Sequence, residues 1–237
     1  MISIVIPTYR GASILEKQLP LYIAYMKAHH PDFEIIIVDD GSDDAGRTAG
    51  LAEQYSCKYI HFPKNRGKGT AVKAGMLAAG GSILLFTDVD IPFQYQNISD
   101  FIATLEKEDV DLVVGDRTLA ESSYFKRISV LRKAGSDVFS LIVSRVFTDG
   151  LHDTQCGLKA FKRAAGRQLF SETVITGFAF DVEILYLASI YGLRREGLPV
   201  QLRSNESSSV RVLYHGSLML LDLITILFKH RWKKKSK

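Results

Sequence analysis

The chain has 237 residues, 46% of them hydrophobic, enough to bury one substantial core with room for a small appended lobe. Its formal net charge of +4 is concentrated in Lys229, Arg231, Lys233, Lys234, Lys235 and Lys237. The body shows no basic face interleaved with aromatics, which sets nucleic acid aside and favours anionic phospholipid as the charged partner.

Met1 leads straight into the strand-like Ile2-Ser3-Ile4-Val5-Ile6, without the basic start and cleavage site of a signal peptide, so the chain is expected to start in the cytosol. From there, β-branched runs at 2–6, 34–38, 58–62, 82–87 and 112–115 alternate with helical stretches near 13–28, 44–54, 69–79 and 98–106. This alternation predicts an α/β fold with a Rossmann-like, mostly parallel sheet flanked by helices. In such sheets ligands bind outside the carboxyl ends of the strands. Polar or glycine-rich chemistry stands at each of the first four predicted strand ends: Pro7-Thr8-Tyr9, Asp39-Asp40-Gly41-Ser42, Asn65-Arg66-Gly67-Lys68-Gly69 and Asp88-Val89-Asp90. One such loop is ordinary turn vocabulary; four at one sheet edge point to a site. Character changes after Arg117. Residues 125–147 read as a basic amphipathic helix or helix pair, 178–191 as a helix, 198–202 as a strand, and 217–228 as a strongly apolar helix carrying Asp222. Cys57 and Cys156 stand in unrelated contexts, give no disulfide framework or thiolate metal spacing, and read as reduced thiols.

Asp88 and Asp90 follow the apolar Ile83-Leu84-Leu85-Phe86. On an extended segment, carboxylates at i and i+2 share a side and can approach one divalent cation, and hard oxygen ligands suit magnesium or manganese on a diphosphate. An isolated Asp-x-Asp is more often a solvated turn; its place after a core strand is what raises it. Asp40 can accept hydrogen bonds from ribose hydroxyls or a base imino group, while Ser42 or Asp43 caps the next helix. The run from Asn65 to Gly69 opens a helix, so its amides and Lys68 can face phosphate, although it lacks the spacing of a Walker loop. The absence of Gly-x-Gly-x-x-Gly after the first strand argues against a dinucleotide-dependent oxidoreductase.

These segments resemble those of the family 2 inverting glycosyltransferases of the GT-A fold, from Ile2 to about Phe228. Asp153-Thr154-Gln155-Cys156-Gly157-Leu158-Lys159-Ala160-Phe161 and Phe180-Asp181-Val182-Glu183 look most like the dolichyl-phosphate β-glucosyltransferases, relatives of the dolichyl-phosphate mannose synthase type of polyprenyl-phosphate sugar synthase. The resemblance implies transfer of a hexose, glucose from UDP-glucose in that subfamily, to a polyprenyl or dolichyl phosphate with Mg2+ or Mn2+. It implies that Pro7, Thr8, Tyr9, Val38, Asp40 and Lys68 contact the nucleotide sugar, and that Asp88, Val89 and Asp90 meet diphosphate and metal, Asp90 more directly. Arg117 matches a position near the reacting phosphates and joins Asp88 and Asp90 as a catalytic candidate. Arg127 and Arg132 fall where the family receives the lipid phosphate, for which bidentate arginine is suited. Asp153, Gln155 and Asp181 are further pocket candidates; Asp181 and Glu183, two apart on a helix, do not share a face.

Two departures stand out. Tyr9 is followed by Arg10-Gly11 where the family often has Asn-Glu, and Ser207-Ser208-Ser209 replaces a Gly-Ser-Lys, leaving Arg203 or Arg211 to substitute for the absent lysine. A phosphate acceptor is already anionic near neutral pH, so no protein general base is expected; a polysaccharide or protein-glycan acceptor would require one. A non-catalytic nucleotide-sugar binder is favoured only by the missing Glu. The expected organisation is a catalytic domain over 1–212 and an amphipathic helix with a basic tail over 213–237. The apolar run 218–228 is shorter than the roughly 20 residues a bilayer crossing needs. With Trp232 and the lysines behind it, this run reads as an interfacial helix on a cytoplasmic, peripherally membrane-associated protein, with a homo-oligomer left open.

Overall fold

The computed structural model describes residues 1–107, 109–123, 143–148, 150–151, 153–203 and 212–231. The elements are β1 (Ile2–Thr8), α1 (Ala12–His29), β2 (Phe33–Asp39), α2 (Arg47–Gln54), β3 (Lys58–His61), α3 (Lys68–Ala78), β4 (Ile83–Thr87), α4 (Tyr95–Leu105), β5 (Leu112–Asp116), β6 (Leu158–Lys162), α5 (Arg163–Glu172), α6 (Phe180–Ile190), β7 (Arg195–Pro199) and α7 (Val212–His230). The strands form one sheet in the order β3-β2-β1-β4-β6-β5-β7. All neighbours are parallel except β6, which runs antiparallel between β4 and β5.

Strand pleat sorts the core onto two faces. Ile4, Ile6, Ile35, Ile37, Leu85 and Val113 pack under α1 and α4, while Val5, Ile36, Val38, Leu84, Phe86, Leu112 and Val114 pack against α3, α5, α6 and α7. Burial on both faces is why these strands read as continuous apolar runs rather than alternating ones.

The structure corrects four expectations. No strand was expected over Leu158–Lys162, where β6 inserts antiparallel between β4 and β5; Lys159 inside an otherwise apolar run concealed it. The strand expected at 198–202 is Arg195–Pro199, drawn toward its N-terminus by its register with Leu112–Asp116, and Gln201 and Leu202 make only isolated bridges. Helix α2 starts at Arg47, and its cap is neither Ser42 nor Asp43: the Asp44 carboxylate accepts the Thr48 amide at 3.2 Å, while Ser42 Oγ accepts the Arg10 amide at 2.7 Å. Finally, α5 was not expected, and the predicted 217–228 helix extends over Val212–His230. Of the expected 125–147 helix, residues 125–142 lie outside the described residues; Val143 and Phe147 are buried in the core.

Candidate active site

The carboxyl ends of β1, β2 and β4 lie side by side, since these three strands are adjacent and parallel. The Asp40 amide donates to the Thr8 carbonyl at 2.8 Å, joining the first two loops. The buried Asp40 carboxylate accepts the amides of Arg66 (2.7 Å) and Gly67 (2.9 Å), fixing the loop that opens α3. Burial nevertheless dominates and raises its pKa, the two amide bonds offsetting only part of the shift. Asp39 takes the opposite direction. Burial would raise it, but bonds from Ser42, Tyr59 (2.8 Å) and His61 (3.2 Å) outweigh that and lower its pKa. Gly67, at φ +95°, is required here: a Cβ would lie 2.3 Å from the Thr176 carbonyl oxygen.

After β4 the chain turns rather than continuing extended, so the premise that Asp88 and Asp90 share one side of a strand is wrong. The Ile91 amide closes the turn on the Asp88 carbonyl at 2.9 Å, and Ile91 sits at φ +42°, a conformation unusual for a β-branched residue. The two carboxylates still converge electrostatically. Burial opposes the Lys68 ammonium, yet Asp88, Asp181 and Asp90 together hold its pKa above the ordinary value. Lys68 donates to Asp88 Oδ1 as an ion pair. Gly157 backs the other carboxylate oxygen, and a Cβ there would lie 2.1 Å from Asp88 Oδ2.

Val89 and Thr8 meet over Gly11, where a Cβ would lie 2.4 Å from Thr8 Oγ1 and 3.1 Å from Val89 Cγ2. The Arg10-Gly11 departure thus has a steric reason. Thr8 Oγ1 is buried without a hydrogen-bond partner, Tyr9 is exposed with the Arg10 guanidinium 5.2 Å from its ring centroid, and Pro7 and Val38 are buried at the ends of their strands.

Arg117, just past β5, forms a fork on the buried Asp153: Nε to Oδ2 and Nη2 to Oδ1, both at 2.7 Å, with the Arg117 amide also on Oδ2 at 2.8 Å. Arg117 is thus shaped by Asp153, a dependence the sequence did not show. Gln155 Nε2 reaches the Met219 sulfur of α7 at 3.6 Å. Asp181 is buried and pairs with Lys159, and Glu183 faces elsewhere, accepting the Val174 and Ile175 amides and pairing with His230 at 2.8 Å. Arg203 packs 4.4 Å over the Tyr95 ring centroid and bonds Tyr95 Oη and Gln18 Oε1, on the α1 and α4 side of the Asp88 turn. Arg127, Arg132 and Arg211 lie outside the described residues. Cys156 is packed: burial pushes its thiol up to about 12. Lys159, which with Asp153 and Gln155 reads from the sequence as a loop polar or a pocket residue, stands instead inside the strand Leu158–Lys162 and is wholly buried.

Among the described residues no group of three His, Cys, Asp or Glu side chains forms a protein cage for a metal. Two carboxylates that already draw an ammonium to them fit a cation whose remaining ligands are substrate oxygens and water, as is usual for magnesium on phosphates.

A family model described as glycosyl transferase family 2 matches residues 3–170. A dolichyl-phosphate beta-glucosyltransferase of Dictyostelium discoideum is 31% identical over 99% of this chain and 77% of its own length. The Saccharomyces cerevisiae protein of the same name is 31% identical over 95% and 73%. Among solved structures, glucosyl-3-phosphoglycerate synthase from Mycobacterium tuberculosis with Mn2+ and UDP-glucose superposes with a TM-score of 0.70 at 18% identity, covering 97% of this chain and 78% of that one. The mannosyltransferase PcManGT from Pyrobaculum calidifontis with GDP-Man and Mn2+ gives 0.65 at 19%, covering 98% and 69%. The shared fold is the GT-A architecture, and the chain belongs to glycosyl transferase family 2 as a glycosyltransferase.

Proposed function

We propose that this enzyme transfers glucose from UDP-glucose to a polyprenyl or dolichyl phosphate at the cytosolic face of a membrane. The observation that carries the reading is the acidic turn after β4, with Asp88 ion-paired to Lys68 and Asp90 adding to the negative field on that ammonium, at the sheet edge where the β1 and β2 loops meet. Relatives named for dolichyl-phosphate glucosylation, of which this chain spans 77% and 73%, support the choice of sugar and acceptor.

In this reading Pro7, Thr8, Tyr9, Val38 and Asp40 line the nucleotide, and Lys68 and Val89 lie along the diphosphate. Mg2+ or Mn2+, held by Asp90 and Asp88, supplies charge neutralisation of the departing nucleoside diphosphate when bound. Arg117, oriented by Asp153, turns its charge toward the acceptor phosphate, with Arg127, Arg132, Arg203 and Arg211 as the wider basic supply. Asp153, Gln155 and Asp181 act as wall and support. Because the acceptor is an anionic phosphate, positioning and charge stabilisation suffice, and no side chain has to remove a proton from it. The exposed apolar side of α7 lies on the membrane surface.

The test is to incubate the purified chain with Mn2+, several nucleotide sugars and polyprenyl phosphate, and to follow sugar extracted into chloroform. Labelled glucose from UDP-glucose is expected in the organic phase. Asp90→Ala should abolish transfer while the protein still sediments with vesicles. Product from none of the donors, or undiminished turnover in Asp90→Ala, overturns the reading.

A further inference from the structure

Lys159 lies in β6 with its side chain wholly buried. Its ammonium donates to Asp181 Oδ1 at 2.5 Å and to the Cys156 carbonyl at 2.8 Å, and stands 5.5 Å from the Phe86 ring centroid. Asp181, in the first turn of α6, is buried as well and interacts electrostatically with Lys68 and Asp88. Lys68 is ion-paired with Asp88. Four charges of alternating sign therefore lead from the middle of the sheet to the acidic turn: Lys159, Asp181, Lys68, Asp88.

A fully buried ion pair contributes little net stability, since desolvation cancels most of the attraction, and an apolar pair of similar volume would serve the core as well. What the pair does change is the local field. Asp181 has two ammonium groups within its electrostatic reach, one fixed by two acceptors inside the protein and one on the edge of the site. With Lys159 opposite it, Asp181 is already neutralised, and Lys68 is left to Asp88. Burial already raises the Asp181 pKa against the pull of Lys159 and Lys68; without Lys159 the carboxylate keeps its charge only by drawing Lys68 inward and away from the turn.

We propose that Lys159 is a positioning residue for the donor site: by neutralising Asp181 inside the protein it keeps Lys68 directed at Asp88 and the diphosphate. The proposal rests on the reading of Lys68 and Asp88 as donor-binding residues, and it adds a residue with no access to the donor at all.

Calorimetric titration of the full chain with UDP and Mn2+ tests it. Lys159→Gln keeps a hydrogen-bond donor but removes the charge, and should weaken UDP binding by about tenfold or more. Lys159→Gln combined with Asp181→Asn removes the carboxylate that captures Lys68, and should bring affinity back to within about threefold of the native chain. Lys159→Arg, which keeps the charge, should also stay within about threefold. A purely structural lysine predicts a different pattern: native affinity in every variant that folds, or equal loss in the single and double variants; either result overturns the proposal. If Lys159→Gln does not fold, the double variant decides: affinity within about threefold of the native chain is expected with both charges gone, and a loss of about tenfold there overturns the proposal. Lys68→Met and Asp88→Asn are run alongside; if neither weakens UDP binding, the donor-site assignment fails, rather than the connection from Lys159.

Discussion

Asp153 accepts three hydrogen bonds from a single arginine, two from the guanidinium fork and one from the Arg117 amide, and its side chain is only 6% exposed. Burial alone would raise its pKa; the bonds and charge of Arg117 win and lower it below the ordinary carboxylate range. A depressed carboxylate pKa means stability that is fully present above the unfolded-state value of about 3.9 and lost as pH falls through the folded one. Asp153→Asn should therefore cost about 3 kcal/mol at pH 7 and at pH 5, since it takes the carboxylate of the fork away from a partly buried guanidinium. Urea denaturation repeated at pH 3 should show the gap narrowing, because Asp153 in the unfolded chain then takes up a proton that the folded carboxylate, held below the ordinary range by Arg117, resists. A gap that stays constant down to pH 3 would mean that the fork contributes through shape and not charge. Activity should fall further than stability, since Arg117 loses the group that aims it.

At the scale of elements, the strand ends were legible and the connections between them were not. The runs ending at Thr8, Asp39 and Thr87 could be read because strands buried on both faces are unbroken in β-branched and aliphatic residues, and the polar loops after them marked one sheet edge. Strand β6 was hidden because its lysine finds its counter-charge on α6, a partner 22 residues away in sequence that no local pattern reveals. The turn at Asp88 was misjudged for a similar reason: nothing in Asp88-Val89-Asp90 announces that Ile91 will adopt a positive φ and close it. The placement of β6 also makes a prediction. Its leading glycine, Gly157, presses on the end of the Asp88 side chain, so an added methyl meets a group that can swing aside. Gly157→Ala should change stability by less than about 1 kcal/mol and yet weaken UDP binding by about tenfold, because a displaced carboxylate no longer holds Lys68. Gly67→Ala is the contrasting case, since its methyl would strike the Thr176 backbone from a positive φ; it should destabilise the fold by about 1–3 kcal/mol. Thermal melts paired with calorimetry separate the two, and a Gly157→Ala protein with native UDP affinity would refute the account of Asp88.

Across the whole molecule, α7 is apolar on two sides. Leu223 and Ile226 face the core, and His230 anchors the helix end through its buried pair with Glu183. On the other side Leu221 and Phe228 are 62% and 63% exposed, accompanied by Leu220, Ile224 and Leu227. Leu220, Ile224, Leu227 and Phe228 follow the i, i+4, i+7, i+8 spacing of one helical face. Among the described residues no helix is long and apolar enough to cross a membrane, so an outward apolar face with lysines beyond it suits insertion along the interface. Burying such side chains is worth about 1.5–3 kcal/mol each when complete, so replacing two of them should be felt strongly. Leu221→Glu combined with Phe228→Glu should lower partitioning onto vesicles containing phosphatidylserine by at least about tenfold, and should leave UDP and Mn2+ binding unchanged. Raising salt should weaken the native protein's partitioning only in part, because the lysines are screened and the apolar contact is not. If instead the double variant partitions normally but sediments as a smaller species than the native chain, the outward face is an interface between copies of the chain, and the acceptor phosphate has to be brought to the site by other means.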